Sequence, residues 1–442
     1  MVESSQHSRT ESILSIEADY TPFVNFAMQQ NAVPLLRMLT VTNSSDKQVT
    51  DVSVRVRSDP PVVTEKIMRL DSIAPRAKHT FPAPALTHQR DLLRKQSERE
   101  EGYLWIEVTS DEFAPERKQF PLSVLAYNEW YGVSLQPEII AAHVLPNDPA
   151  VECILAEASK ILLEKTQDGS LSGYQSGDPR RAYTQAAAIY FATARQKIGY
   201  INPPASFEDT GQKIRTPEHV LKRKLGSCLD TTALLAACFE QAGLRPVIVL
   251  VEGHAFPGVW LVDKSFDDTV TRHDSILLNR IGLNEFIVVE STGIAKTPPF
   301  GFKMALDQAN NQLQSGTRFH FAVDIKSARK LGIRPLSLTG DVEAPDDEGI
   351  SPEGYDLTPI EDLSVPEGVA EAGTVAPKQP TREQESPADR LARWKNSLLD
   401  LSLRNRLLNF KDSKKSIPLL CPNIAGLEDA LAANEAFRVR SK

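Results

Sequence analysis

Short apolar runs with partial alternation recur along residues 12–135, and Asn, Ser, Asp, Gly and Pro separate them about every ten positions. Alternation of this kind predicts half-buried strands, and the even spacing of the turn residues is typical of a β-sandwich. This stretch contains no cluster of catalytic residue types. We therefore predict an N-terminal all-β sandwich that serves as a scaffold or an interaction module.

The periodicity changes near residue 136, where segments with helical spacing are followed by strand-like apolar runs. Two of the predicted helices begin at Asp-Pro, an N-cap residue followed by proline at the first helical position. We expect helices over 148–167, 178–199 and 228–242, and strands over 246–253, 254–263 and 285–291. This order predicts a central α+β domain over residues 136–340.

Two further segments differ from both the predicted β-sandwich and the predicted α+β domain. Over residues 341–386, Asp and Glu outnumber Lys and Arg thirteen to two, and aromatic residues are nearly absent. Such a composition buries too little apolar area to offset the entropy of ordering, which predicts an acidic disordered linker. Residues 387–442 begin with leucines and Trp394 near helical spacing, which predicts a C-terminal helical segment too short for a core of its own.

Composition narrows the classes of function. The chain has 442 residues, of which 41% are hydrophobic and 24% charged, and its net charge of −8 provides no overall basic field for nucleic acid. Four scattered cysteines without a CxxC pair favour a reducing compartment. No secretory signal and no apolar run long enough to span a membrane are visible, so we expect a cytoplasmic protein without membrane contact. Phosphate-loop, dinucleotide and metal-ligand motifs are absent from the sequence, so we expect no cofactor and no metal.

The stretch "GSCLDTTALLAACF" places two cysteines on one apolar helix. Cys238 lies in the middle of that helix among apolar residues, and we predict that it belongs to the core. Cys228 lies at the predicted helix N-terminus, where unpaired N–H groups and the helix dipole favour a thiolate. A rigid buried helix with a cysteine at its tip suits a nucleophile.

A thiol nucleophile needs a base, and the base needs an orienting acceptor. The stretch "EGHAFPGVW" supplies His254 at the start of a strand, and "FIVVEST" supplies Glu290 at the end of another. If these strands are neighbours, both side chains face the helix tip from one sheet edge. Asp263 and Asp274 are weaker candidates for the acidic position, and a structural role for His254 is the alternative.

The order and spacing of these motifs resemble the transglutaminase-like core of the papain-type superfamily, with a likeness covering about residues 178–295. "LGSC" is followed by "GHA" 26 residues after the cysteine and by a strand-ending acid with "ST" 36 residues further on. The resemblance implies that Cys228 is the nucleophile and His254 the general base and acid. It implies that Glu290, in place of the family's usual aspartate, orients His254.

The resemblance also implies an oxyanion hole built from the Cys228 backbone N–H and a side-chain donor, for which Gln212 is our candidate. Ser227 and an apolar rim that includes Phe256 and Trp260 are candidate substrate contacts; Phe256 stands where the family often has tryptophan. A site of this kind forms an acyl-enzyme on an amide or peptide carbonyl. Release by water makes it a protease or amidase, and release by an amine makes it a transglutaminase; the residues do not separate these reactions.

The stretch "RWKNSLLDLSLRNRLLNF" carries a second resemblance. It is similar to the start of an uncharacterised domain that precedes superfamily-1 helicase modules in very large bacterial proteins. Some of these carry a transglutaminase-like domain upstream, and several are associated with defence against phage. The resemblance implies a helicase or nuclease module as a partner, in cis or in trans. Arg404, Arg406 and Lys411 are candidate phosphate contacts, and a solvated basic face is the alternative.

Three functions therefore remain open. The leading hypothesis is a cysteine hydrolase or acyltransferase domain that acts on a protein or peptide and serves a helicase-associated assembly. The second is a catalytically inactive binding or regulatory module of a larger DNA helicase or nuclease, which touches nucleic acid only indirectly. The third is an inert fragment of a large ATPase.

Overall fold

The structure is a computed structural model, and it describes residues 13–337 and 363–369. These residues belong to one compact unit. Most of the predicted linker lies outside them. The predicted C-terminal segment, with Arg404, Arg406 and Lys411, lies entirely outside them.

The N-terminal region is built from strands whose buried and exposed residues alternate. Its elements are β1 (Leu14–Tyr20), β2 (Phe23–Val24), α1 (Phe26–Gln30), β3 (Leu36–Asn43), β4 (Val49–Asp59), β5 (Lys66–Ile73), β6 (Lys78–Pro82), α2 (Arg90–Lys95), β7 (Glu100–Thr109), β8 (Glu116–Val124) and β9 (Glu129–Trp130). In β4, Val54 and Val56 point into the core, whereas Arg55 and Arg57 face outward.

Two sheets enclose the core of this region. One has the strand order β1-β3-β6 and the other the order β2-β8-β7-β4-β5. Aliphatic residues of both sheets form a single buried cluster that includes Leu39 of β3 and Leu104 of β7. The two sheets therefore form two layers over one core.

The second region mixes helices with one larger sheet. It contains a 3-10 helix (Pro137–His143), α3 (Pro149–Thr166), α4 (Pro179–Ala194), β10 (Gly199–Tyr200), α5 (Phe207–Thr210), β11 (Gln212–Lys213), α6 (Pro217–Arg223), β12 (Leu225–Gly226), α7 (Cys228–Gln241), β13 (Pro246–Val251), β14 (His254–Trp260), β15 (Val270–Thr271), α8 (Asp274–Gly282), β16 (Phe286–Val288), a second 3-10 helix (Ser291–Ala295), α9 (Phe302–Gln314), β17 (Phe319–Asp324) and α10 (Ile325–Lys330). The predicted combination of a strand-rich region with a mixed helix-and-strand region is confirmed at this level.

The predicted Asp-Pro caps start two of these helices. The Asp148 carboxylate accepts a hydrogen bond from the Ala150 N–H at 3.0 Å, and Asp178 does the same for Arg180 at 2.9 Å. Each cap of this kind stabilises a helix by about 1 kcal/mol. Both helices contact α7, so the caps fix the position of elements that surround the central helix.

The larger sheet has the strand order β15-β17-β13-β14-β16, with antiparallel neighbours. Because side chains alternate along a strand, the sheet has two buried faces. One face packs against α3, α4 and α7, and the other packs against α8 and α9. Helix α7 lies directly on β13 and β14. It is buried on nearly every face, from Cys228 to Phe239, so it occupies the centre of the region.

One part of the predicted disordered linker is ordered. Residues 363–369 pack Leu363 and Val369 into the same core as α7, with exposed fractions of 8% and 3%. The prediction of disorder is therefore wrong for these seven residues. The acidic composition of the whole segment concealed a short stretch, "LSVPEGV", that carries three aliphatic side chains.

Candidate active site

Cys228 is the first residue of α7, and Ser227 is its N-cap. The Ser227 hydroxyl accepts a hydrogen bond from the Asp230 N–H at 3.3 Å, and the Asp230 carboxylate accepts one from the Ser227 N–H at 2.8 Å. This capping box fixes the helix start in register. Asp230 also forms an ion pair with Arg215 at 2.7 Å, so its charge is neutralised beside the cysteine.

His254 lies at the first position of β14, directly after a tight turn from β13. Val251 and His254 are partners across this hairpin, and Gly253 adopts a φ of +69° between the strands. Glycine takes this left-handed conformation without strain. The hairpin delivers the imidazole to the sheet edge that faces the N-terminus of α7.

Glu290 reaches the same place from the neighbouring strand. β16 pairs with β14 in antiparallel register, with Val288 opposite Gly258, and the chain continues to Glu290 two residues further on. The strand is shorter than predicted, and Glu290 is the N-cap of the 3-10 helix Ser291–Ala295. Its Oε2 lies 2.8 Å from Nε2 of His254.

Both oxygens of the Glu290 carboxylate are hydrogen-bonded. Oε1 accepts from the backbone N–H and the hydroxyl of Thr292 at 2.9 and 2.7 Å. Oε2 accepts from the Gln312 amide at 3.2 Å in addition to its contact with His254. Burial raises the pKa of the Glu290 carboxyl, but the bonds from His254 and Thr292 outweigh burial and hold that pKa below its usual value. Glu290 is therefore a fixed anion at neutral pH.

Three hydroxyl groups join α7 to the chain segments that carry the histidine and the glutamate. Ser291 Oγ lies 2.9 Å from Thr231 Oγ1 and 3.2 Å from Thr232 Oγ1. The Thr232 hydroxyl also donates to the Ala255 carbonyl at 3.0 Å. These bonds run from the first turns of α7 to the residues next to His254 and Glu290, and they hold the three segments in one arrangement.

The Cys228 thiol is a neighbour of the His254 ring and interacts with it electrostatically. Because Glu290 occupies Nε2, the ring nitrogen left for the thiol is Nδ1. Burial of the ring opposes its protonation, but the hydrogen bonds and negative charges of Cys228 and Glu290 prevail and raise the pKa of His254 to about 9. The ring is therefore an imidazolium at neutral pH.

Tyr200 is a member of this site that no sequence pattern indicated. β10 pairs in parallel with β12, which places Tyr200 opposite Gly226, and the Ile201 N–H donates to the Gly226 carbonyl at 3.0 Å. The Tyr200 phenol is a neighbour of the Cys228 thiol and interacts with it electrostatically. No nucleophile, base or cap pattern surrounds "GYINPP" in the sequence.

The other predicted contacts divide into two groups. Gln212 lies next to the helix tip, and its amide donates to Ser227 Oγ at 3.3 Å, so the roles of both residues stay predictions. Phe256 and Trp260 are 0% and 1% exposed and belong to the core on the α8–α9 side of the sheet. Both lie on the face of β14 that begins at His254, and the ring centroids of Phe256 and His254 are 5.9 Å apart. Their roles as substrate contacts stay predictions.

The alternative acids lie elsewhere. Asp263 forms an ion pair with Arg245, and Asp274 starts α8. Neither bonds to His254 in the part of the chain that the structure describes. Within the same residues, no group of His, Cys, Asp and Glu has the arrangement of a metal site, and no helix is long and apolar enough to cross a bilayer.

Comparison with known families finds a match in the C-terminal part of the chain. The model of a family described as a protein of unknown function, DUF4011, matches residues 397–442. The predicted likeness of the C-terminal segment to an uncharacterised domain is confirmed over those residues. No transglutaminase-like family model matches the region around Cys228, and no curated protein matches the chain.

Proposed function

We propose that the second region is a transglutaminase-like cysteine hydrolase or acyltransferase domain. The observation that carries the proposal is the pair of His254 and Glu290, 2.8 Å apart, beside Cys228 at the N-terminus of α7. Three residues far apart in sequence meet at a helix N-terminus in the order that thiol catalysis requires.

The chemistry follows from the charges. The imidazolium of His254 and the positive end of α7 favour a thiolate at Cys228. The thiolate attacks a carbonyl carbon, and the electron pair of the C=O bond moves to oxygen. When the tetrahedral intermediate collapses, His254 gives its proton to the departing amine, and an acyl-thioester remains. Neutral His254 then takes a proton from water or from an amine, which attacks the thioester and releases the thiolate.

Glu290 acts on the histidine and not on the substrate. Its hydrogen bond to Nε2 directs Nδ1 toward the sulfur and stabilises the imidazolium. The bonds from Thr292 and Gln312 fix the carboxylate, which makes Glu290 a positioning residue in this proposal. The longer side chain of glutamate, compared with aspartate, reaches the ring from a residue that caps a 3-10 helix.

The wider setting is also a proposal. The DUF4011 match at residues 397–442 supports a place beside a helicase or nuclease module, in cis or in trans, in a bacterial cytoplasmic protein that takes part in phage defence. The substrate would be a protein or peptide. The two-sheet N-terminal region would then recognise that substrate or another component of the assembly.

One observation favours a second candidate function, an inactive binding module. Cys228 has an exposed fraction of 0%, so a substrate reaches the thiol only after a neighbouring side chain moves. Tyr200, which is 40% exposed and lies beside the thiol, is the side chain whose displacement would open this path.

Acylation of the protein by p-nitrophenyl acetate tests the proposal without a known substrate. We expect a thioester at Cys228, located by peptide mass spectrometry, with rapid nitrophenolate release. Cys153 is exposed and serves as an internal reference for an unassisted thiol. Cys228→Ala should abolish the rapid phase, and Cys153→Ala should leave it unchanged. Acylation of Cys228 no faster than that of Cys153 would favour the binding module.

A further inference from the structure

We infer that the Tyr200 hydroxyl is a further catalytic group, which donates a hydrogen bond to the oxyanion formed when Cys228 attacks a carbonyl. This inference rests on the proposed function and adds one residue to its chemistry. It assigns a role to a side chain that lies on β10, outside all the motifs that carry the nucleophile, the base and the acid.

The backbone holds Tyr200 beside the nucleophile. Parallel pairing of β10 with β12 places Tyr200 opposite Gly226, two residues before Cys228. The Ile201 N–H anchors the next residue on the Gly226 carbonyl at 3.0 Å, and the Gly199 N–H is bonded to the Lys224 carbonyl at 2.7 Å. The segment that carries Tyr200 is thus tied on both sides to the turn that enters α7.

The Tyr200 side chain is a neighbour of the reacting atom. Strand pairing places the residue beside the turn that enters α7, and its phenol interacts with the Cys228 thiol. Tyr200 is 40% exposed whereas Cys228 is fully buried, so a carbonyl group that enters past Tyr200 would meet its hydroxyl. A donor at this position is close to both the sulfur and the oxygen of a group bonded to that sulfur.

Attack on a carbonyl changes which atom is the better acceptor. The thiolate forms the S–C bond with its electron pair, so its sulfur becomes a weak, thioether-like acceptor. The C=O π pair moves to oxygen, which becomes a strong anionic acceptor attached to the same carbon. The Tyr200 hydroxyl can turn from sulfur to oxygen with little movement, so its interaction strengthens in the transition state.

The protonation state of Tyr200 suits a donor. Burial of part of the side chain, together with the negative charges of Cys228 and Glu290, raises the pKa of Tyr200 to about 12. The phenol keeps its proton throughout the range in which His254 is an imidazolium. It therefore stays available to donate at each step of the reaction.

The neighbouring polar groups are engaged elsewhere. Ser227 Oγ accepts from the Asp230 N–H in the capping box, and the Gln212 amide donates to the same oxygen at 3.3 Å. The Cys228 backbone N–H belongs to the first turn of α7 and remains the second donor of the proposed oxyanion hole. Tyr200 and this N–H would then hold the oxygen from two sides.

Two small uncharged reagents separate the oxyanion role from any effect on the thiol. Iodoacetamide alkylates sulfur by displacement at carbon and forms no oxyanion, whereas p-nitrophenyl acetate acylates sulfur through one. Loss of thiolate stabilisation or a change in access would affect both rates. Loss of an oxyanion donor affects acylation alone.

We therefore compare the two rates at Cys228 in wild type, Tyr200→Phe, Tyr200→Ala and the control Tyr103→Phe, which alters a similarly exposed tyrosine of the N-terminal region. We expect Tyr200→Phe to lower acylation about 10²-fold, the usual effect of removing one oxyanion donor, with alkylation changed less than about threefold. Tyr200→Ala should open access and raise alkylation while acylation stays low. Tyr103→Phe should match wild type.

The remaining outcomes contradict either the role of Tyr200 or the proposed function. If Tyr200→Phe lowers both rates equally, the hydroxyl only stabilises the thiolate, and the inference is wrong. If it changes neither rate, or if acylation rises with alkylation in Tyr200→Ala, the inference is also wrong. If wild-type Cys228 is alkylated rapidly but never acylated, the proposed acyl chemistry itself fails and Tyr200 has no oxyanion to bind.

Discussion

The two cysteines of α7 are equally buried, yet their surroundings are opposite. Cys238 lies among apolar side chains in the middle of the helix, where burial raises the pKa of its thiol. Cys228 lies at the positive end of the same helix and has His254 and Tyr200 as neighbours. Position and partners, and not burial, therefore separate the two cysteines, and they are the basis for proposing that the Cys228 thiol reacts and the Cys238 thiol does not.

A buried and a partly buried histidine differ in the same way. Burial alone lowers the pKa of His143 to about 4, because no charged group among the described residues acts on its imidazole to favour the protonated form. The ring of His254 is also desolvated, but the thiol and the Glu290 carboxylate reverse the effect and raise its pKa to about 9. A histidine with this pKa can stabilise a thiolate and later donate a proton.

The largest expected effect comes from removing the imidazole. His254→Gln should lower Cys228 acylation about 10²–10⁴-fold, because the imidazole that takes the thiol proton and then stabilises the thiolate as a cation is lost. His143→Gln changes a buried histidine whose Nε2 has no hydrogen-bond partner among the described residues, and it should leave the rate near that of wild type. The measurement is the acylation rate with p-nitrophenyl acetate. Equal losses in the two variants would show that His254 matters only for folding.

Glu290→Gln should have a smaller effect, roughly 10-fold to 10²-fold, since the amide can still bond to the ring but cannot stabilise its charge. The pKa of His254 should fall, which an NMR titration of the ring would detect. Glu285 is a matched control, because it is a buried acid just before β16 that pairs with Lys264 and Arg280. A fall in the His254 pKa in Glu285→Gln as large as in Glu290→Gln would refute a specific role for Glu290.

The pH dependence should follow His254. Its folded-state pKa is raised to about 9, so the imidazolium is present below that pH and is lost above it. Acyl transfer to Cys228 from an amide, whose leaving group needs a proton, should therefore decline as the pH rises through about 9. A rate that keeps increasing beyond this pH, as for an isolated thiol, would contradict the assignment of His254 as the acid.

The smallest effect on chemistry is expected from the other cysteine. Cys238→Ala should leave acylation unchanged and lower the free energy of unfolding by roughly 1–2 kcal/mol, because it leaves a small cavity in the core. Urea denaturation and the acylation assay measure the two quantities independently. A large loss of acylation in a folded Cys238→Ala protein would remove the contrast between the two ends of α7.

Short sequence patterns correctly indicated those structural features that depend on residues close together in the chain. Asp148 and Asp178 predicted two helix starts, and the positions of Cys228, His254 and Glu290 relative to their helix and strands predicted that they would face one another. Pairing between distant segments left no such signal. Tyr200 approaches the thiol because β10 pairs with β12, and Ser291 joins Thr231 across 60 positions of sequence.

The remaining differences have the same origin. Phe256 and Trp260 share the face of β14 that begins at His254, but α8 and α9 cover both side chains, which their local sequence does not indicate. The order of residues 363–369 depends on a docking site supplied by the α7 core, which their own acidic surroundings in the sequence do not indicate.

Site-resolved alkylation of the native protein by iodoacetamide at neutral pH tests the central claim most directly. The rates at Cys228, at the buried Cys238 and at the exposed Cys153 are measured together by peptide mass spectrometry, in wild type and in His254→Ala. We predict that Cys228 is alkylated faster than Cys238 and Cys153, and that His254→Ala removes this difference in rate. A Cys228 that reacts no faster than Cys238, with a rate unchanged by His254→Ala, would contradict the account.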